Sequence, residues 1–130
     1  FEPDLQEIAL HEDIGLLAWS PLATGMLSGK YLNGARPARS RWTLSKTNER
    51  DTEDAQAAVV AYTNIASKHR LSVVQMALAF VISRKFVTST IIGATSMEQL
   101  ATNIGALDIE LTPEIIEDIE QVRREFPVPF

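Results

Sequence analysis

Two short apolar runs constrain this chain more than any other feature: "IGLLAWS" from Ile14 to Ser20 and "FVTSTIIGA" from Phe86 to Ala94. Each is too short for an independent helix and nearly continuous in apolar or β-branched residues. That is the pattern of a strand covered on both faces, as in a parallel sheet flanked by helices. The expected strands are the first run and residues 88–92. Between them Ala55, Val59, Tyr62 and Ala66 recur at helical spacing, with Glu53 and Asp54 at the start and Lys68, His69 and Arg70 at the end. Acids at the N-terminus and bases at the C-terminus suit the helix dipole, so a helix is expected over 52–69. "SVVQMALAFVIS" follows, its Ser72 and Gln75 spaced as a capping box, and reads as a second, largely buried helix. Met76, Phe80 and Phe86 are expected in the core. Two strands joined by a helical crossover make a parallel βαβ unit.

The flanks extend the alternation. Leu5, Ile8 and Leu10 predict a short helix over 3–13, ended by Gly15. Ser96 and Gln99 repeat the capping-box spacing, and Thr112 with Pro113 forms an N-cap and N1 pair for a last helix reaching Glu125. The tail "FPVPF" cannot continue it. Residues 21–50 hold Gly25, Gly29, Gly34 and Pro37 and read as a long loop with one helical turn near Met26 to Tyr31. Loops of that length in compact domains are usually functional or disordered. Two strands of the covered type leave unpaired edges that a parallel sheet does not tolerate. The expectation is therefore that residues 1–130 form the C-terminal part of one larger α/β domain.

Composition narrows the partners. An apolar fraction of 45% and a charged fraction of 22% are those of a soluble globular protein. The absence of cysteine removes disulfides, thiolate nucleophiles and Cys-based metal sites, and two isolated histidines, His11 and His69, do not supply a zinc site. Both histidines are expected at the surface near helix ends, without a role. No apolar run is long enough to span a bilayer, no signal sequence opens the chain, and a cytoplasmic location is expected. A net charge of -5 argues against nucleic acid and anionic membrane as partners. Yet Lys30, Arg36, Arg39, Arg41, Lys46 and Arg50 gather within one segment with Glu49 as its only acid. A basic island in an acidic chain suggests one specific anion.

In α/β folds, ligands collect at the C-terminal ends of parallel strands. The first strand ends in "WSPLATG", which offers an aromatic face, a hydroxyl and a small-residue loop whose backbone could approach a phosphate. The second ends in "GATSMEQ", where Thr95 and Ser96 stand at a helix N-terminus. Each element has a plainer explanation: Trp19 as core, Ser96 as a cap, the bases as a solvated loop. Their joint placement at two strand ends favours a dinucleotide site.

The segments "WSPLATGMLSGKYLNGARPARSR" and "IIGATSMEQLATNIGAL" resemble the C-terminal portion of the aldo-keto reductases, in the branch of the Tas-like proteins and potassium-channel beta subunits. The matching motifs are Trp-Ser-Pro-Leu, then Ser-Gly-Lys-Tyr, then Gly-Ala-Thr with Gln and Asn four and eight residues beyond the Thr. The resemblance implies a (β/α)8 TIM barrel, of which this chain would supply the last two βα units and a C-terminal helix. It implies that Trp19 lies against a nicotinamide ring, while Ser20, Pro21, Leu22, Ala23 and Gly25 wrap a pyrophosphate with charge from Lys30. Arg41 and Arg39 would fall near the adenosine 2′-phosphate of NADP, which is expected ahead of NAD. Gly93, Thr95 and Gln99 would hold the phosphate and adenosine end, with Thr102 at its edge and Asn103 on adenine. Two departures stand out: no Lys or Arg directly follows the eighth strand, and Thr102 stands where the family often has an acid.

The family reduces aldehydes and ketones by hydride transfer, with a Tyr as proton donor assisted by Lys, Asp and His from early strands. Those segments are not in this sequence, and Tyr31 and Tyr62 lie in other motifs. The chain is therefore expected to bind cofactor, to meet a small carbonyl substrate only within a full-length parent, and not to be catalytic alone. The alternatives are a non-catalytic nucleotide-binding regulatory or scaffold module, and a half-barrel that self-associates through its open strand edges.

Overall fold

The fold was derived from a computed structural model, which describes residues 1–2, 4–45 and 50–129. In chain order it runs α1 (Asp4–His11), β1 (Leu16–Trp19), α2 (Arg41–Ser45), α3 (Glu53–Lys68), α4 (Val73–Ile82), β2 (Val87–Ile91), α5 (Met97–Ile104) and α6 (Pro113–Glu125). The strands pair in parallel, with Leu16 opposite Val87 and Trp19 opposite Ile91, and the register slips once between Leu16 and Leu17. Their C-terminal ends therefore lie side by side. Gly15 permits the close approach that starts this pairing, since a Cβ there would collide with the Thr88 side chain.

The helix starts expected from hydroxyl caps at Ser72, Ser96 and Thr112 are present, and α3, expected from its terminal charges, is capped by a hydroxyl as well. Thr52, Ser72, Ser96 and Thr112 accept from the backbone N–H groups of Ala55, Gln75, Gln99 and Ile115 respectively. The reciprocal half of the capping box is missing in α4. Gln75 sends its side-chain amide to the Thr102 carbonyl, 3.2 Å away, and so ties α4 to α5 instead.

The main core joins α3, α4 and α6 through Ile65, Ala66, Met76, Ile115, Ile119 and Val122. Phe80 packs against it beneath the guanidinium of Arg84, 3.8 Å from the ring centre. Phe86 instead meets Phe1 at the edge of the fold, with ring centres 5.0 Å apart. At its periphery Lys68 and His69, at the end of α3, reach Asp118 of α6, each at 2.8 Å. His69 is thus a largely enclosed helix-to-helix contact and not the roleless surface residue expected; the α3–α4 turn points its ring at α6.

Two further expectations are corrected. Residues 21–50 are not a loop with a single helical turn: 3-10 turns span Ala23–Ser28 and Leu32–Gly34, and α2 follows. A second buried cluster holds them, formed by Met26, Tyr31, Trp42, Ala55 and Val59. Nor are the strands covered on both faces. Leu17 is 59% exposed, Trp19 72% and Ile91 51%, because the helices of this chain pack on one side of the sheet only. The total accessible surface is 8546 Å². A compact monomer of this length exposes about 6,800 Å², so about 1,700 Å² is in excess.

Among the described residues, no single helix is long and apolar enough to cross a membrane.

Candidate functional site

At the end of β1 the backbone turns through four consecutive or near-consecutive left-handed residues: Ser20 at φ 56°, Ala23 at 48°, Thr24 at 59° and Gly25 at 96°. Three of them carry side chains, and each such position costs about 1–3 kcal/mol of strain unless its surroundings impose it. Local bonds impose it here. The Ala23 N–H donates to the Ser20 carbonyl at 2.9 Å, Gly25 N–H to the Leu22 carbonyl at 2.8 Å, and Thr24 N–H to the Ser20 hydroxyl at 3.2 Å. The loop is therefore a set of tight turns whose own donors face inward. Its small residues leave room for a ligand's phosphates, while the N–H groups of Ala23, Thr24 and Gly25 already have acceptors.

Lys30 folds back across this loop. A Cβ at Gly25 would lie 3.1 Å from Lys30 Cε and 3.2 Å from its Nζ, so glycine is required there by both contact and φ. The ammonium stands 5.2 Å from the Tyr31 ring centre, at the loop's surface. Trp19, Ser20, Pro21, Leu22, Ala23, Gly25 and Lys30 are thus brought together as expected, and Trp19 presents an open ring at the strand end in place of the core packing that was its plainer explanation.

The loop after β2 lies alongside. Residues 91–99 are all exposed. Thr95 donates both its N–H, at 2.9 Å, and its hydroxyl, at 3.1 Å, to Gln99 Oε1, which leaves the Gln99 amide nitrogen facing outward. The N–H groups of Met97 and Glu98, in the first turn of α5, have no acceptor among the described residues. Free N–H groups at a helix start favour an anion. Asn103 is buried and donates to the Gly93 carbonyl at 3.3 Å, so its visible task is to shape the turn. Thr102 returns its hydroxyl to the Glu98 carbonyl at 2.9 Å.

The basic island divides. Arg36 pairs with Asp51 at 2.5 Å and lies over the Trp42 ring at 5.4 Å, so it belongs to the fold. Arg50 also contacts the protein. Lys46 lies outside the described residues. Arg39 and Arg41 are exposed, and neither makes an ion pair among the described residues. With Lys30 they are, among the described residues, the cations of the island left available to a ligand, fewer than the sequence count suggested.

Neither tyrosine is placed as a proton donor at the strand ends. Tyr31 is fully buried. Tyr62 sits between α3 and α6, where burial pushes its pKa above the usual phenol value although Arg123 nearby opposes this. A cavity of about 350 Å³ lies between the loop after β1 and helices α3, α4 and α6, walled by Ser20, Pro21, Met26, Val59, Met76 and Phe80. Of the expected cofactor residues it touches only Ser20, Pro21 and Ala23.

What sequence reasoning missed is Trp42. It is 5% exposed and stacks on Tyr31 with ring centres 4.1 Å apart and planes 2° from parallel. An aromatic pair inside a polar, glycine-rich segment was the available signal.

The Aldo/keto reductase family profile matches residues 1–124. The protein tas of Escherichia coli K12 is 48% identical over 130 residues, covering 99% of this chain and 38% of that protein; the Shigella flexneri protein tas matches to the same extent. A probable voltage-gated potassium channel subunit beta from Oryza sativa is 40% identical over 88% of this chain and 37% of its own length. One from Arabidopsis thaliana is 36% identical, over 97% and 40% respectively. The chain thus spans about two fifths of the length of these relatives.

Proposed function

Because this chain belongs to the aldo/keto reductase family, we propose that it is the cofactor-binding C-terminal part of an NADP-dependent reductase of aldehydes or ketones, contributing the last two βα units of a TIM barrel. The observation that carries the reading is the side-by-side placement of two shaped loops at the ends of parallel strands, with an open Trp19 ring between them and β2. The residues fit a dinucleotide. Trp19 offers a face for the nicotinamide, the small-residue turns from Ser20 to Gly25 admit the pyrophosphate, and Lys30 lies across them. Arg41 and Arg39 would take the 2′-phosphate. The start of α5 and the Gln99 amide would take the adenosine phosphate end, with Gly93 and Asn103 setting the turn and Thr102 at its border. The bound nicotinamide would supply hydride to the carbonyl carbon. This chain's part is to bind and orient that ring; the proton donor belongs to other segments of the parent, so the chain alone does not turn over substrate.

The test is calorimetric titration of the chain with NADPH, with Trp42 left in place. Arg41→Ala and Gln99→Ala should each weaken binding several-fold, on the order of one charge-assisted or neutral hydrogen bond. Unchanged affinity in both variants counts against the site.

The second reading, self-association of the chain, is favoured by the excess of about 1,700 Å² of surface, about twice the roughly 800 Å² that each partner of a standard interface buries. A folded monomer in sedimentation equilibrium across micromolar concentrations removes it. A third reading, a nucleotide-binding scaffold without catalysis, is separated from the reductase by whether the parent's upstream segments carry the Asp, Tyr, Lys and His set.

A further inference from the structure

We infer that Trp42 is the positioning residue that holds Arg39 and Arg41 against the loop after β1, and that discrimination for a 2′-phosphate on the dinucleotide depends on it; the inference rests on the dinucleotide reading above. Residues 35–45 contain only the five-residue α2 as regular structure, so something other than a long helix or a strand must fix them. Within α2, Trp42 is buried while Arg41 and Thr43 on either side are exposed. Turning the indole inward turns Arg41 out.

Three anchors hold the indole. Its ring lies parallel to that of Tyr31, which is fully buried and packs with Ala55 and Val59 of α3. Its Nε1–H donates to the Thr24 hydroxyl at 3.2 Å, reaching the left-handed turn after β1. The Arg36 guanidinium stands over the ring and is itself fastened to Asp51. Gln56 of α3 closes the assembly by donating to the Tyr31 carbonyl at 3.3 Å and to Asp51 at 2.5 Å. The stack therefore couples three segments that the chain order separates: the loop after β1, the basic segment and α3. Around Arg39, at φ 62°, the turn is tightened by the Ser40 N–H and the Thr43 hydroxyl, both donating to the Pro37 carbonyl at 3.0 Å. Trp42 links that turn to the loop after β1.

Phenylalanine can keep the stack but has no N–H for Thr24. The indole-to-Thr24 bond is thus a separable element: Trp42→Phe and Thr24→Val remove the same contact from opposite ends.

The experiment is calorimetric titration of the chain with NADPH, NADH and adenosine 2′,5′-bisphosphate, for the parent, Trp42→Phe, Thr24→Val, their double variant and Trp42→Ala, with far-UV circular dichroism and thermal melting to verify folding. The NADPH-to-NADH preference should fall by about threefold to tenfold in each single variant, the worth of one hydrogen bond, and no further in the double variant. Trp42→Ala should lose the preference and the bisphosphate binding. Equal weakening for NADPH and NADH, or a preference unchanged within twofold in folded Trp42→Phe and Thr24→Val, overturns the inference and leaves the nucleotide reading standing. A parent that binds none of the three probes overturns both.

Discussion

The two sides of this molecule are built differently. On one, α3, α4 and α6 close around Met76, Ile119 and Val122, and their margins are tied by Lys68, His69 and Asp118. On the other, β1, β2 and the start of α5 leave Leu17, Trp19, Ile91 and Met97 open to solvent. The helical side buries most of its large apolar side chains. The sheet side carries apolar side chains on strands whose partners are elsewhere. A helix can bury one stripe against two neighbours, whereas a parallel sheet needs both faces and both edges covered. Local completeness and exposure are thus divided by face: Trp19, Thr95 and Gln99 stand exposed on the incomplete one, while Ser20, Pro21 and Ala23 also line the cavity toward α3, α4 and α6.

The largest effect that can break the comparison is on stability. Met76→Ala, in the closed core at 2% exposure, should lower unfolding free energy by about 2–5 kcal/mol, and Trp19→Ala by less than about 0.5 kcal/mol. Urea unfolding of the two variants checks this; comparable losses would mean that the open face already supports the fold. Next is the Ser96 cap. Ser96→Ala should cost about 1 kcal/mol and, because Thr95 and Gln99 lock the adjoining turn, should also weaken NADPH binding. Thr112→Ala should cost a similar amount while leaving binding unchanged.

The smallest effect is electrostatic. Hydrogen bonds from Lys68, then from His69, hold the Asp118 carboxyl below its ordinary range, and bonds to Asp118 and Glu114 raise Lys68. A carboxylate whose folded pKa is depressed contributes stability above its ordinary value near 4, lost as pH falls through the lower folded value. A raised lysine contributes below its ordinary value and loses that contribution as pH rises through the folded one. Denaturant midpoints for the parent and Asp118→Asn should therefore differ at neutral pH and converge as the pH falls through the lowered value of Asp118. A difference that persists in acid would place the effect in packing.

The helical side was legible in the sequence, and the reason is local. The period of Ala55, Val59, Tyr62 and Ala66 and the hydroxyl caps act within a few residues, so pattern and structure agree on α3, α4 and α6. The strands were legible as strands, but their exposure was not. An apolar run such as "GLLAW" encodes the environment of an assembled sheet, and the described residues bring two strands to it. The loop after β1 was legible as a place and not as a shape. Left-handed Ser20, Ala23 and Thr24 break the preference of L-residues, and they persist because hydrogen bonds and the Trp42 stack impose them. Trp42 escaped notice because its partners lie 11 and 18 residues away, beyond any local pattern. The basic island misled in part, since charge counting cannot separate Arg36, bound into the fold, from Arg41, which is not.

On the proposed reading the open face, and not the closed one, receives the dinucleotide. Amide hydrogen exchange of the chain with and without saturating NADPH tests it most directly. Protection should appear in residues 19–31, 36–45 and 91–103, with α3 and α6 unchanged along their shared core. No protection anywhere, or protection confined to the cavity-lining turns of α3, α4 and α6, would contradict it.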